Sequence, residues 1–131
     1  MAEIFTQRIV IDPSDIDELN HVNNVVYLRW AQDIAIAHWS TRGSADMLAR
    51  YVWVVARHEI DYRAPLMLGD DVEARTWVSP TPQGALWARH VEIGKVGEAK
   101  PSAAILSSWC LLDAATRRVK RVPMEIVERF V

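Results

Sequence analysis

One stretch limits the fold of this chain more than any other. From Asn23 to Trp39 there is no proline or glycine, and none follows until Gly43. Val26, Trp30, Ile34 and Ala37 recur along it at spacings of four and three, and Val25, Leu28 and Ala31 widen the stripe. That period predicts the one long helix of the chain, and an apolar surface so broad predicts deep burial. The second half reads differently. Residues 52–64 open as an apolar run, Val52 to Ala56. They then alternate, with His58, Ile60 and Tyr62 on one face and Arg57, Glu59, Asp61 and Arg63 on the other. Alternation of this kind belongs to a sheet with one face inward. Pro65 ends the run and Gly69-Asp70 supplies a turn. Residues 71–78 alternate again, with Val72, Ala74, Thr76 and Val78 together. Residues 85–93 and 102–113 make two further strands around a Gly94–Pro101 connection.

Before the helix, residues 5–11 are rich in strand formers and 12–21 form a polar loop. After the strands, Pro123 opens a short helical stretch, 123–130. Consecutive strands with short links imply an antiparallel sheet. The expectation is a single α+β domain over residues 1–131, one long central helix wrapped by about five strands. The face carrying Arg57, Glu59, Asp61, Arg63, Glu73 and Arg75 cannot meet that helix. It is solvated, laced with cross-strand ion pairs, or set between sheets of different subunits.

Composition removes several function classes. A formal net charge of -2 provides no basic field to gather nucleic acid. No apolar run approaches the ~20 residues of a membrane span, and the N-terminus lacks a signal core. Cys110 is the single cysteine, so no intrachain disulfide can form, which fits a reducing, cytoplasmic location. Its mid-strand place among apolar residues suggests a buried, inert thiol. His38, His58 and His90 follow no metal-ligand spacing, so neither metal nor cofactor is expected. There is no Gly-x-Ser-x-Gly elbow and no glycine-rich phosphate loop. The six tryptophans serve as core filling or as pocket walls.

The chemistry concentrates in Asp15-Ile16-Asp17-Glu18-Leu19-Asn20-His21-Val22-Asn23-Asn24, the loop that enters the helix. The first turn of a helix offers unpaired N–H groups and about half a positive charge. A carboxylate a few residues upstream can reach the same space. Together they provide a base or nucleophile and an oxyanion hole, as acyl transfer requires. Asp15 reads as a structural cap, and the Asn23 and Asn24 side chains as loop and cap ligands. Tyr27, Leu28 and Trp30 read as helix packing, with one of them available to line a tunnel.

The run from Asp17 through His21-Val22-Asn23-Asn24 to Tyr27-Leu28-Arg29-Trp30 resembles the acyl-CoA thioesterases of the 4-hydroxybenzoyl-CoA thioesterase type, which have the hot-dog fold. It is also similar to the plant acyl-ACP thioesterases. Ile60-Asp61-Tyr62-Arg63-Ala64-Pro65 with Gly69-Asp70 matches the family's second signature, and the resemblance covers residues 6–127. It implies hydrolysis of an acyl-CoA or acyl carrier protein thioester, with Asp17 either attacking the carbonyl or activating a water. It also implies that the Asn24 backbone N–H polarises the carbonyl, that His21 orients substrate or water or else holds the loop, and that the chain forms homodimers or homotetramers with sites between subunits. Three departures stand out. Asn20 replaces the family's glycine before the histidine, although asparagine tolerates the left-handed backbone. Leu19 stands where the acyl-ACP enzymes have asparagine. Ser79–Gly84 lacks the basic cluster that some members use for CoA phosphates. Two other readings of the fold remain: a hydratase or dehydratase using Asp17 and His21, and a non-catalytic acyl-CoA-binding module.

Overall fold

The computed structural model describes residues 3–131. The elements follow in the order β1 (Phe5–Ile9), α1 (Asn24–Arg42), α2 (Ala45–Arg50), β2 (Tyr51–Tyr62), β3 (Val72–Val78), β4 (Leu86–Lys95), β5 (Ala103–Asp113) and α3 (Met124–Phe130), with a single 3-10 turn at Pro13–Asp15. The strands form one five-stranded antiparallel sheet in the order β1-β3-β4-β5-β2. The chain therefore crosses from one sheet edge to the other through α1, and β2 is left as a long edge strand. This is the α+β architecture that the helix-then-strands pattern predicts.

The inward face of β3 is the one expected: Val72, Ala74, Thr76 and Val78 are all buried. The apolar run that opens β2 also has a physical cause. Its pairing with β5 shifts between Val55 and Arg57, a β-bulge at Ala56. The extra residue changes which parity points inward, so Trp53 and Val55 face in before it and His58 and Ile60 after it.

Four expectations need correction. β1 stops at Ile9, because Val10 is 89% exposed and the Asp12-capped 3-10 turn begins just beyond it. Helix α2, capped by Ser44, is too short at 6 residues for periodicity to reveal. Helix α1 continues past Trp39 to Arg42 and ends where Gly43 donates its N–H to the Trp39 carbonyl. A Cβ at Gly43 would lie 2.7 Å from that oxygen, so only glycine closes the turn without a shift. Cys110 is partly exposed rather than buried, because its strand position points away from the helix layer.

The deep burial expected of α1 holds on one stripe only. Val26, Tyr27, Trp30, Ala31, Ile34, Ala35 and His38 are buried, whereas Val25 and Ile36 are 70% and 57% exposed. The helix lies against β3 and β1 and leaves a cavity on its β2 side. On the outer face, Arg75 pairs with Glu92 across β3 and β4 at 2.6 Å, and Arg57 pairs with Glu59 along β2.

The core is divided. One apolar cluster gathers Val26, Tyr27, Trp30, Ile34, Ile93 and Ile105, and the other Met47, Tyr51, Trp87, Leu111, Ile126 and Phe130. Between them a polar belt crosses the inner face. Arg89 of β4 sits opposite Ser107 of β5, and Ser107 sits opposite His58 of β2. Thr76 of β3 and His38 of α1 complete the belt, both joined to Arg89 by hydrogen bonds.

Candidate active site

The loop before α1 is held shut by its own backbone. Asp17 N–H donates to the His21 carbonyl and Asn20 N–H to the Asp17 carbonyl, both at 3.0 Å, beneath an Ile16–Val22 bridge. Asn20 sits at φ 63°, the left-handed conformation that asparagine accepts more readily than other non-glycine residues. The place where the family has glycine therefore keeps the turn. Asp15 anchors the loop from below: buried, it accepts from Arg29 at 2.8 Å and from the Asp12 backbone at 3.0 Å. Its structural reading stands.

Asn23 serves two elements. Its Oδ1 caps α1 by accepting from the Val25 N–H at 3.0 Å, while its Nδ2 donates to Asp17 Oδ2 at 3.3 Å. The other Asp17 oxygen accepts from the Leu19 N–H at 2.9 Å. These two bonds fix the carboxylate in one orientation. With Val25 bonded to the cap and Val26 to the Asn23 carbonyl, the Asn24 N–H has no partner among the described residues. It is the free donor that a helix N-terminus leaves.

Asp17, His21 and Asn24 line one cleft of about 390 Å³ with Asn23, Tyr27, Tyr62, Arg63 and Pro65. The three residues singled out in the sequence thus come together. His21 is half-buried, and its side chain has no hydrogen-bond partner among the described residues. Tyr27, Tyr62 and Arg63 were not singled out as site residues. Tyr62 donates to the Asn24 carbonyl at 2.9 Å, and burial pushes both phenols above the usual tyrosine range, so they stay neutral. They stand in the two signatures, Tyr27 in the first and Tyr62 with Arg63 in the second, but their place on this cleft was hidden, since β2 reaches it only through the return of the chain along α1. A fixed carboxylate and a free backbone N–H on one cleft are the two groups that an acyl-transfer site needs.

A second, larger cavity of about 590 Å³ opens between α1 and the first half of β2. Its walls include Gln32, Trp39, Trp53, Trp87, Arg89, Trp109 and Phe130. Gln32 lies eight residues, roughly 12 Å, along α1 from Asn24, and the inward-facing His58 and Ile60 of β2 lie between the two spaces.

Residues 11–130 match the family model of the thioesterase-like superfamily. An 80-residue stretch is 26% identical to a chloroplastic acyl-[acyl-carrier-protein] hydrolase of Cuphea viscosissima, covering 61% of this chain but only 19% of that protein. A thioesterase of Thermus thermophilus, solved with coenzyme A and zinc, is 28% identical, with a TM-score of 0.79 over 95% of this chain and 90% of that one. A Pseudomonas aeruginosa protein superposes with a TM-score of 0.86 at 20% identity, covering 96% and 88% of the two chains. A 1,4-dihydroxy-2-naphthoyl-CoA thioesterase from Synechocystis gives 0.78 at 15%, covering 93% and 91%. At those last two identities the likeness speaks for the fold alone, which is the expected hot-dog fold. With the family model spanning nearly all of the sequence from the loop before Asp17 to the end of α3, this chain belongs to the thioesterase-like superfamily.

Proposed function

We propose that this protein hydrolyses acyl-CoA or acyl carrier protein thioesters to the free acid and thiol. One observation carries the reading: the Asp17 carboxylate, held by Asn23 and Leu19, shares a cleft with the unpartnered Asn24 N–H. The thioester carbonyl oxygen points at the Asn24 N–H, which takes up the charge that develops on it. Asp17 attacks the carbonyl carbon, expelling the thiolate and leaving a mixed anhydride that water then hydrolyses, or it draws a proton from a water whose attack breaks the C–S bond directly. A thiolate departs without strong help from an acid, so no further proton donor is required. One oxyanion donor of this kind is typically worth about 10²–10³ in rate. His21, on the same wall, orients substrate or water. Arg63 stands on the rim as the cation available to carrier phosphates, its Asp61 partner being 3.9 Å away.

The same reading makes the chain one domain that works as a homodimer or homotetramer in the cytoplasm, with the site between subunits. The free edge of β2 supports the assembly. It is a 12-residue strand with no pairing along one side among the described residues, the kind of edge that proteins cover. The exposed apolar side chains of Val25 and Ile36 on the uncovered flank of α1 support it too. The single cysteine suits the location.

The test is thiol release from a panel of acyl-CoA and acyl carrier protein thioesters, short to long chain with benzoyl and phenylacetyl members. Release from at least one member supports the proposal. No release from any member, with binding retained, would move the assignment to a non-catalytic acyl-CoA-binding module.

A further inference from the structure

We propose that the acyl group accepted by this protein carries a carboxylate at the end far from the thioester, and that Arg89 receives it in the cavity between α1 and β2. The proposal rests on the thioester-hydrolase reading only for the placing of the carbonyl end. The distal end is argued from the cavity itself.

A cation inside a protein is costly unless an anion or a full set of acceptors meets it. Arg89 is only 9% exposed, yet among the described residues no carboxylate lies within ion-pair reach of it. Its Nη1 is held by two uncharged groups, His38 Nδ1 at 2.9 Å and the Thr76 hydroxyl at 3.0 Å. His38 stays neutral, because burial and the neighbouring guanidinium bring its pKa down to about 4. Its other nitrogen faces Glu3 at 3.4 Å, and Glu3 is itself committed to Arg42 at 2.6 Å. Arg89 keeps its charge at neutral pH, since burial lowers its pKa only to about 10. A guanidinium has five N–H donors in a planar fork. Here Nη1 is occupied, Nε and Nη2 have no partner among the described residues, and the side chain lines the cavity.

A cavity walled by Trp39, Trp53, Trp109 and Phe130 but furnished with the free edge of one guanidinium fits a chain that is apolar along its length and accepts hydrogen bonds at its tip. A carboxylate can take the free edge of a guanidinium in two parallel bonds. A plain alkyl end would seal those donors from water and leave them unmet. About 12 Å of helix separates Asn24 from Gln32, so an acyl chain reaching Arg89 from the cleft is of medium length rather than an acetyl group, and it must pass the His58 and Ile60 side chains that lie between the two spaces.

The test compares matched pairs by thiol release: octanoyl-CoA against its 7-carboxyheptanoyl analogue, and decanoyl-CoA against its 9-carboxynonanoyl analogue. Wild type should favour the carboxylated member by about tenfold or more in kcat/KM, chiefly through KM. Arg89→Met should bring the ratio close to one, with Arg89→Lys between. A wild-type preference for the plain member would overturn the proposal. So would an Arg89→Met variant in which both members fall together and the ratio survives, which is what a purely structural arginine would give. Titration of wild-type tryptophan fluorescence with octanamide and with 7-carboxyheptanamide, which differ only in the distal carboxylate, separates this claim from the hydrolase reading and needs no variant. Tighter binding of 7-carboxyheptanamide supports the carboxylate site even if no thioester is cleaved. Equal or weaker binding of it overturns the site even if the protein proves to be an active thioesterase.

Discussion

The Tyr62 hydroxyl donates to the Asn24 carbonyl at 2.9 Å, tying the end of the edge strand β2 to the first turn of α1. The helix N-terminus that carries the free N–H is thereby fixed relative to the wall of the cleft. A hydrogen bond of this type is worth about 1 kcal/mol net. Tyr62→Phe should therefore lower the unfolding free energy by about that amount in denaturant titration. It should also reduce kcat/KM several-fold as the Asn24 N–H loses its registry. Unchanged stability and turnover would show the tie to be idle.

Asn23 couples helix capping to carboxylate orientation, and the two roles can be separated. Serine is a good N-cap but lacks the amide that reaches Asp17. Asn23→Ser should keep stability within about 0.5 kcal/mol of wild type while kcat falls by about tenfold. Asn23→Ala should add a capping loss of about 1 kcal/mol. Equal kcat in wild type and Asn23→Ser would remove the positioning role.

His21 holds the loop through its backbone carbonyl, which accepts from Asp17. The imidazole is free to act on substrate or water. His21→Ala should keep the loop and lose less turnover than an Asp17 variant, by steady-state kinetics. An equal loss would promote His21 to a full catalytic partner.

His38 gives the fold a dependence on acid. Its folded pKa of about 4 lies below the unfolded value near 6.5, so the folded state disfavours the proton. This contribution is complete above pH 6.5 and is lost as pH falls from there towards 4, by at most about 3 kcal/mol. Urea unfolding between pH 7 and 4 should show that decline. His38→Asn, whose amide oxygen can accept from Arg89, should flatten it. A wild-type stability that is flat over this range would contradict the account.

Much of this molecule was legible in its sequence because periodicity reports local geometry. The alternation of β3 and the stripe Val26–Trp30–Ile34 gave the right elements, since each residue's burial follows from its own strand or helix. The Asp17–Asn24 loop was legible for a related reason: the bonds that hold the Asp17 carboxylate and the turn at the left-handed Asn20 come from residues within a few positions. What escaped was long-range. Arg89 and His38 meet across 51 residues of sequence, and Tyr62 reaches Asn24 across 38. Neither pairing leaves a pattern in the chain. The exposed flank of α1 was hidden because periodicity shows that a helix has an apolar face, not how much of that face the sheet covers.

The most direct test of the account is the kcat of Asp17→Asn beside wild type on the best thioester of the panel, with folding checked by unfolding and substrate binding by tryptophan fluorescence. The substitution is nearly isosteric and keeps an oxygen for the Leu19 N–H. The account predicts a fold and an affinity close to wild type with turnover reduced by about 10²–10⁴. Turnover near the wild-type value would contradict it and take the chemistry away from Asp17.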